Sequence, residues 1–466
     1  MAESYDVVVI GAGPAGYVAA IRAAQLKQKV AIVDRQWLGG VCLNVGCIPS
    51  KSLLKNAEVA HILRERGKDF GFSFDNLKLD YGVAVKRSRQ NSDRLVKGVG
   101  FLMKKNAITV YIGDARITSG TAISITDASK KVTELTARNI IVATGATAMV
   151  PAAWKVDAEK VVTYLEAILQ ERLPKSVVII GSGAIGVEFA TVWRSYGVDV
   201  TIVEMLPRLV PLEDEEVSKE LEKEFKKRGI KVMVGTKVES VEPTSSGAKV
   251  KVSTEGKESV LEAEQALVAI GFRPNSKGFG LEEVGVKLNE RGFVEINEKM
   301  QTSVANIYAI GDVTGKLMLA HVGSAMGIVA AENIAGAETV TLDYEMMPRA
   351  TYSQPQIASF GLTEAQAKER GYTVRVGRFP FQANGKALGL GDYAGWVKIL
   401  RDEKYGEILG AHMIGPEVTE LLPELTLAHL MELTPHEIGR NVHAHPSLSE
   451  VLGEAAHAAE GLPIHI

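Results

Sequence analysis

The sequence predicts an α/β fold: two Rossmann-like dinucleotide-binding domains followed by a C-terminal α+β domain. Two observations lead there. A strand, glycine turn, helix, strand and acid occur in that order twice, with the acid 23 positions after the first glycine in both copies. From about Leu342 the texture changes to short alternating strands and helices.

In the first copy, Tyr5–Ile10 (YDVVVI) is a short buried strand. Gly11-Ala12-Gly13-Pro14-Ala15-Gly16 follows at once, then an Ala-rich helix over Tyr17–Leu26 and a strand Val30–Val33 ending at Asp34. In the second copy, Ser176–Ile180 leads into Gly181-Ser182-Gly183-Ala184-Ile185-Gly186. A helix Val187–Tyr196 and a strand Val200–Val203 ending at Glu204 follow. The glycines let the backbone turn tightly and approach a pyrophosphate, and the helix N-terminus offers that anion free N–H groups. Each acid can accept a hydrogen bond from a ribose hydroxyl. A single glycine turn of this kind also occurs without a ligand. Two with matching spacing predict two dinucleotides, one donor and one acceptor.

Between the copies, Ala143-Thr144-Gly145 follows the apolar run Ile140–Val142, and Ala269-Ile270-Gly271 repeats the arrangement after Gln265–Val268. Pro207–Gly229 reads as a charged helix with Glu222–Lys226 and Glu224–Arg228 at i,i+4 and Gly229 at its end, a solvated face rather than a site. Ile307–Ile310 is a buried strand ending at Gly311-Asp312. The C-terminal module holds strands at Val374–Phe379, Gly395–Leu400 and Ile408–Met413. No Pro/Gly/Ser linker separates these parts.

The 466 residues are 46% apolar and 23% charged, with a net charge of -3. That balance gives no reason to expect nucleic acid or an anionic membrane as partner. No apolar run approaches the roughly 18 residues of a spanning helix. The acidic start Met1-Ala2-Glu3-Ser4 does not read as a signal peptide, so a reducing, cytoplasmic setting is expected. There are only two cysteines, Cys42 and Cys47, in Gly39-Gly40-Val41-Cys42-Leu43-Asn44-Val45-Gly46-Cys47-Ile48-Pro49-Ser50-Lys51. A stapled secreted fold would use more and spread them. Zinc needs about four ligands; there is no third cysteine and the nearest histidine is His61, so no metal is expected. Two inert buried thiols are the plainer alternative to a redox pair. On an ideal helix, Cα atoms five residues apart are about 8.7 Å apart, beyond the roughly 4.4–6.8 Å of a disulfide. If the two bond, residues 42–47 are therefore not a regular helix, and Asn44 and Gly46 are the residues that tolerate unusual backbone angles.

Near the C-terminus stands Asn441-Val442-His443-Ala444-His445-Pro446-Ser447-Leu448-Ser449-Glu450. A lone histidine is usually structural. A His-Pro start to an amphipathic helix with an acid five residues on is more pointed. A free thiol has a pKa of about 8.5, so thiol chemistry near neutrality needs a base, and a carboxylate can orient an imidazole for that work.

The segment GGVCLNVGCIPSK, the twin nucleotide turns and the histidine motif together resemble the class I pyridine nucleotide–disulfide oxidoreductases, over essentially the whole chain. The resemblance implies FAD in the first unit and a nicotinamide dinucleotide in the second. It implies domains at 1–145 (FAD), 146–271 (NAD), 272–341 (completing the FAD site) and 342–466 (interface and dimerisation). Cofactor-binding positions are then Gly11, Gly13, Gly16, Asp34, Lys51, Thr144, Gly145, Gly311, Asp312 and His321 for FAD, and Gly181, Gly183, Gly186, Glu204 and Gly271 for NAD. Asp34 stands where the family more often has Glu. Asp312 corresponds to the acid that holds the FAD ribityl chain. Cys42 takes the place of the interchange thiol and Cys47 that of the flavin-facing thiolate. Lys51 matches a flavin-side lysine paired with Glu188, although each alone could be a solvated charge. His445 and Glu450 match the family's HxHPxxxE base, which reaches the cysteines of the other subunit of a homodimer; His443 fits its non-catalytic first histidine.

NADP-using members carry arginines at the end of the second unit's strand and six residues later. Here those positions are Glu204 and Val210, with Arg208 nearby, and a carboxylate repels a 2′-phosphate, so NAD is expected. That disfavours the glutathione and trypanothione reductase branches. No cysteine follows Cys47, which disfavours the branches with a C-terminal cysteine pair. The dihydrolipoamide-oxidising branch remains, and Ala320-His321 with the helix Val322–Glu332 fits it. The expected activity is FAD-dependent oxidation of protein-bound dihydrolipoamide with reduction of NAD⁺. Expected partners are lipoyl domains and the acyltransferase core of a 2-oxo acid dehydrogenase or glycine-cleavage complex. The alternatives are an NAD(P)H-dependent reductase of another disulfide, or a mainly non-catalytic redox component of such a complex.

Overall fold

The computed structural model describes residues 3–466. They form two compact units, one of residues up to 52, 82–149 and 271–344, the other of residues 53–81, 150–270 and 345–466.

The first unit is built on β1 (Glu3–Ile10), α1 (Pro14–Gln25) and β2 (Val30–Asp34). Strands β1 and β2 pair in parallel, Ile10 opposite Val33, and Val132–Val142 pairs in parallel on the other side of β1. Thr109–Ile112 extends the sheet beyond β2, and Ile307–Ala309 adds to Val132–Val142. Strands covered on both faces read as continuous apolar runs, and Val7, Val8, Val9, Ala31 and Ile32 are indeed fully buried. Helix α1 starts with Pro14 in its first turn, where a missing N–H costs nothing. Against it lies the helix Ala320–Ala335; a Cβ on its Gly327 would stand 2.6 Å from the Ala15 carbonyl oxygen, so the close approach requires glycine.

The redox segment follows β2 as two helices, α2 (Gly40–Val45) and α3 (Cys47–His61). The helix is interrupted at Gly46, with φ -137° and ψ -113°, as a bridge between Cys42 and Cys47 demands. Asn44 differs from the expectation. It is helical, and its work is done by its side chain: Nδ2 donates to the Leu38 and Gly40 carbonyls at 3.0 and 2.9 Å. The unusual angles fall on Gly39 and Gly40 instead, with φ of 84° and 58°. A further helix of this region is α4 (Tyr81–Lys105).

The second unit repeats the nucleotide fold. Its parallel sheet runs in the order Lys231–Met233, Asp199–Val203, Ser176–Ile180, Gln265–Val268, Val161–Val162. The C-terminal part is a five-stranded antiparallel sheet that includes Val374–Pro380, Trp396–Asp402 and Ile408–Gly415. Helix Glu450–Ala459 buries Val451, Leu452, Ala455 and Ala456 in its core.

One helix is shorter than expected. It spans Glu215–Lys227, not Pro207–Gly229. Asp214 caps its N-terminus by accepting from the Glu216 N–H at 3.1 Å, and the same carboxylate meets the buried Lys398 ammonium at 3.2 Å. Lys398 also pairs with Glu216 and Glu364 at 2.8 and 2.7 Å. Those carboxylates outweigh the burial that would otherwise lower its pKa and hold it above the usual lysine value. The Glu222–Lys226 pair forms at 2.6 Å, but Glu224 pairs with Lys227. Arg228 turns inward, to the Gln354 carbonyl and Ser195 Oγ. Among the described residues no helix is long and apolar enough to cross a membrane, and no three His, Cys, Asp or Glu side chains gather as a metal site.

Candidate active site

In the first unit, Gly11 has φ 107°, and a Cβ there would overlap the Ala143 backbone; a Cβ on Gly16 would overlap the Gly11 carbonyl. Gly13 is different. It is the N-cap of α1, no side chain caps that helix end, and the nearest atom to its Cβ position is the Gly40 Cα at 4.0 Å. Asp34 holds the turn from the strand end. Its Oδ2 accepts from the Ala12 N–H at 2.7 Å and its Oδ1 from the Gln36 and Trp37 N–H groups at 2.8 and 2.9 Å. An open, uncapped helix N-terminus behind a glycine turn, with an anchored carboxylate beside it, fits a dinucleotide pyrophosphate and ribose.

Beyond the turn lies the disulfide. Cys42 and Cys47 are bonded, with Cα atoms 4.6 Å apart, and both are half-buried. Lys51 donates to Ser50 Oγ at 3.3 Å, one turn along α3 from Cys47. Thr144 Oγ1 donates to the Asn275 carbonyl at 2.6 Å, and the Asn275 N–H to the Gly145 carbonyl at 3.0 Å. The Gly271 carbonyl accepts from the Met149 N–H at 2.9 Å. Gly311 has φ 72° and starts a short 3₁₀ turn that presents Asp312. His321 is the exposed second residue of helix Ala320–Ala335.

No hydrogen bond to the Asp312 carboxyl is seen among the described residues, and burial alone pushes it up to about 6. A carboxyl this starved of donors fits a ligand rich in hydroxyls. Its raised pKa also carries a stability consequence. Between about pH 4 and 6 the folded FAD-free chain binds this proton more tightly than the unfolded chain does, so stability falls as pH rises through that window. Asp312→Asn removes the penalty. The FAD-free variant should exceed the parent by about 3 kcal/mol at pH 8, with the gap shrinking to below about 1 kcal/mol at pH 4, while retaining FAD less well. Urea unfolding at the two pH values checks this; equal stabilities at pH 8 would contradict it.

The second unit mirrors the first. Glu204 Oε2 accepts from the Ser182 N–H and Oγ, both at 2.8 Å, and Oε1 from the Leu206 N–H at 2.9 Å. Gly181 has φ 100°, and a Cβ on Gly186 would overlap the Gly181 carbonyl. Gly183, the N-cap of helix Ala184–Ser195, has no side-chain cap and no atom within 4 Å of its Cβ position. The two glycines should therefore fail differently. Gly186→Ala should break the turn. Gly183→Ala should keep stability within about 0.5 kcal/mol yet raise KM for NAD⁺ at least about tenfold, a loss of ~1.4 kcal/mol of binding. Steady-state kinetics with thermal unfolding separate them; an unchanged KM in a folded Gly183→Ala protein would remove the dinucleotide from this turn.

Glu188 lies on the same helix, buried, its Oε1 accepting from the Tyr352 N–H at 3.0 Å. At the C-terminal end of the unit, His445 Nδ1 is 2.7 Å from Glu450 Oε1, and Glu450 Oε2 accepts from the Ser447 N–H at 2.8 Å. Burial pushes the Glu450 carboxyl up, but the Ser447 and His445 hydrogen bonds outweigh it and hold it below its usual value. The helix begins at Glu450, not at the His-Pro step, so the acid sits at a helix N-terminus that favours its charge. His445 is 82% exposed in the single chain, with Nε2 turned from its carboxylate and available to a partner. His443 instead meets Glu424, Nε2 to Oε1 at 3.0 Å.

Sequence reasoning missed Ser182, whose hydroxyl fixes Glu204, and the Gly323 and Gly327 pair on which α1 rests. Both glycines lay in plain view at i,i+4 on a helix, a spacing that signals close packing.

A redox disulfide on one nucleotide-binding unit, a second nucleotide turn, and a histidine–carboxylate pair define a flavin- and nicotinamide-linked disulfide oxidoreductase. Residues 5–327 match the family Pyridine nucleotide-disulphide oxidoreductase and residues 347–456 match that family's dimerisation domain, and the chain belongs to this family. It is 57% identical over 463 residues to the dihydrolipoyl dehydrogenase of Mycobacterium leprae, with 98% of each chain covered. Identity is 53% over 458 residues to the dihydrolipoyl dehydrogenase of Mycobacterium tuberculosis, again covering 98% of each. Among solved structures it resembles LpdA from Mycobacterium tuberculosis, with a TM-score of 0.90, 27% identity, and 98% of this chain and 99% of that one covered. It also resembles the HOCl-induced flavoprotein disulfide reductase RclA of Escherichia coli, with a TM-score of 0.85, 25% identity, and coverage of 96% and 98%.

Proposed function

We propose that this chain oxidises protein-bound dihydrolipoamide to lipoamide and reduces NAD⁺ to NADH, as a dihydrolipoyl dehydrogenase. The observation that carries the reading is the half-buried Cys42–Cys47 disulfide in a chain otherwise without cysteine; a pure scaffold has no use for it. Full-length identity to dihydrolipoyl dehydrogenases supports the substrate.

FAD bound in the first unit would supply a two-electron acceptor beside the cysteines, and NAD⁺ in the second would supply the final hydride acceptor. Gly11, Gly13, Gly16, Asp34, Thr144, Gly145, Gly311, Asp312, Lys51 and His321 would hold FAD, and Glu188 would serve as counter-charge to Lys51. Gly181, Gly183, Gly186, Glu204 and Gly271 hold NAD, and Glu204 rejects a 2′-phosphate. The chemistry of the chain itself starts at His445, oriented by Glu450, which takes a proton from one thiol of dihydrolipoamide. The resulting thiolate attacks Cys42; a mixed disulfide forms and Cys47 leaves as thiolate. The second substrate thiol then attacks its own mixed-disulfide sulfur, lipoamide closes, and Cys42 departs with the remaining proton. Two electrons have moved from substrate to the cysteine pair.

The domain assignment follows: 1–145 for FAD, 146–271 for NAD, 272–341 completing the FAD site, and 342–466 for the interface. The dimerisation-domain match at 347–456 supports a homodimer; within it we assign His445 to the other subunit's cysteines. We place the dimer on the lipoyl domains and acyltransferase core of a 2-oxo acid dehydrogenase or glycine-cleavage complex, in the cytoplasm. The test is turnover of the FAD-loaded protein on dihydrolipoamide with NAD⁺, beside NADP⁺, and beside NADPH with glutathione disulfide. Rapid, NAD-selective turnover on dihydrolipoamide alone is expected. Activity only on another disulfide would overturn the substrate.

A further inference from the structure

A cation bonded to the redox segment is used by no catalytic assignment above. Arg89, on α4, donates through Nη1 to the carbonyl of Asn44, inside the loop that the Cys42–Cys47 bond closes. Asn44 is itself pinned by its two side-chain hydrogen bonds to Leu38 and Gly40, so the carbonyl it offers is fixed. Neighbouring side chains of α4 fasten the next turn: Arg87 Nη1 and Asn91 Nδ2 both donate to Ser52 Oγ, at 3.1 and 3.0 Å. Arg89 is half-buried and makes no ion pair among the described residues. A guanidinium partly taken from water without a carboxylate is costly. As a cap on the last carbonyls of α2 it gains only what a cation gains at a helix C-terminus, about 0.3–1 kcal/mol.

We infer that Arg89 is a positioning residue whose charge sets the equilibrium between the Cys42–Cys47 disulfide and its reduced form. The missing anion is made by the reaction. Opening the S–S bond takes up two electrons and, near neutral pH, one proton, leaving one thiol and one thiolate; the electron pair comes from a dithiol that loses two protons and closes to a disulfide. A fixed opposite charge favours the thiolate, and stabilising the reduced form makes the pair easier to reduce. Among the described residues Arg89 makes no hydrogen bond to either sulfur; it acts through the Asn44 carbonyl it holds and through its field.

The inference rests on the redox role of the cysteines but not on the identity of the substrate, so its test avoids dihydrolipoamide. The FAD-loaded protein is equilibrated with mixtures of reduced and oxidised dithiothreitol, and the thiols are trapped with iodoacetamide and counted by mass. Arg89→Met removes charge and hydrogen bond, Arg89→Gln removes the charge but keeps a donor for the Asn44 carbonyl, and Arg89→Lys keeps the charge. The Met and Gln variants should each shift the equilibrium about tenfold toward the disulfide, equivalent to about 30 mV, while Lys should stay within about threefold of the parent. If Gln matches the parent, or if Lys shifts as far as Met, the arginine is a helix cap only and the inference fails. Should Met not fold, Gln and Lys alone decide the outcome. A parent protein that reduces in dithiothreitol yet ignores dihydrolipoamide would sink the substrate reading and leave this one standing.

Discussion

With Cys47 replaced by serine, the FAD-loaded protein should show no oxidation of dihydrolipoamide above background, a loss of at least about 10⁴-fold of the kind seen when a covalent participant is deleted. The expectation follows from the electron path. An electron pair reaches the flavin only through a sulfur that can leave as thiolate, and Cys42 and Cys47 are the only sulfurs in the chain able to form a disulfide. Serine has the shape but cannot form or release an S–S bond. Cys42→Ser should be equally silent for a different reason, because it removes the atom that the substrate attacks. Both variants should still bind FAD, since the glycine turn and Asp34 are untouched. Steady-state NADH formation checks the loss. Retained turnover in either serine variant would take the disulfide out of the reaction.

His445→Gln should slow dihydrolipoamide oxidation by about 10²–10⁴-fold, the range of general-base catalysis. Glutamine keeps a hydrogen bond toward Glu450 but cannot accept a proton near neutrality. The loss should fall on kcat rather than on KM for NAD⁺, because the nicotinamide turn is in another part of the chain. The pair is already arranged: Glu450 holds Nδ1 at 2.7 Å, which fixes the tautomer that leaves Nε2 to act. Kinetics with dihydrolipoamide across pH 6–9 decide the matter, and an unchanged kcat would remove His445 from the role.

Most of the nucleotide fold was legible because the constraints are local. Runs such as Val7–Ile10 and Val177–Ile180 have no polar face to show, so they must be buried on both sides, and the glycines after them have no alternative where a Cβ would strike a carbonyl. That the helix breaks between Cys42 and Cys47 was legible from bond geometry once the two cysteines were taken to bond; that Gly46 and not Asn44 carries the break was not. What was not legible depends on partners distant in sequence. The helix at Glu215 starts late because Asp214 is shared between the helix end and Lys398, 184 residues away. Asn44 was read for its backbone, whereas its side chain works on carbonyls that only the folded turn brings near. Arg89 meets Asn44 across 45 residues, and nothing in the spacing announces it. The acids at Asp34 and Glu204 were read as ribose acceptors. Each also clasps the backbone N–H of its own glycine turn, at Ala12 and Ser182, a duty that the matched spacing of the two copies implies once the geometry is known.

The most direct test of the account is to count thiols across one turnover. The FAD-loaded protein is mixed anaerobically with dihydrolipoamide without NAD⁺, alkylated, and digested. Label should appear at Cys42 and Cys47, with lipoamide formed in step with reduced enzyme. Adding NAD⁺ before alkylation should return both cysteines to the unlabelled disulfide and yield NADH. Formation of NADH while Cys42 and Cys47 stay oxidised throughout would contradict the central claim that the disulfide carries the electrons.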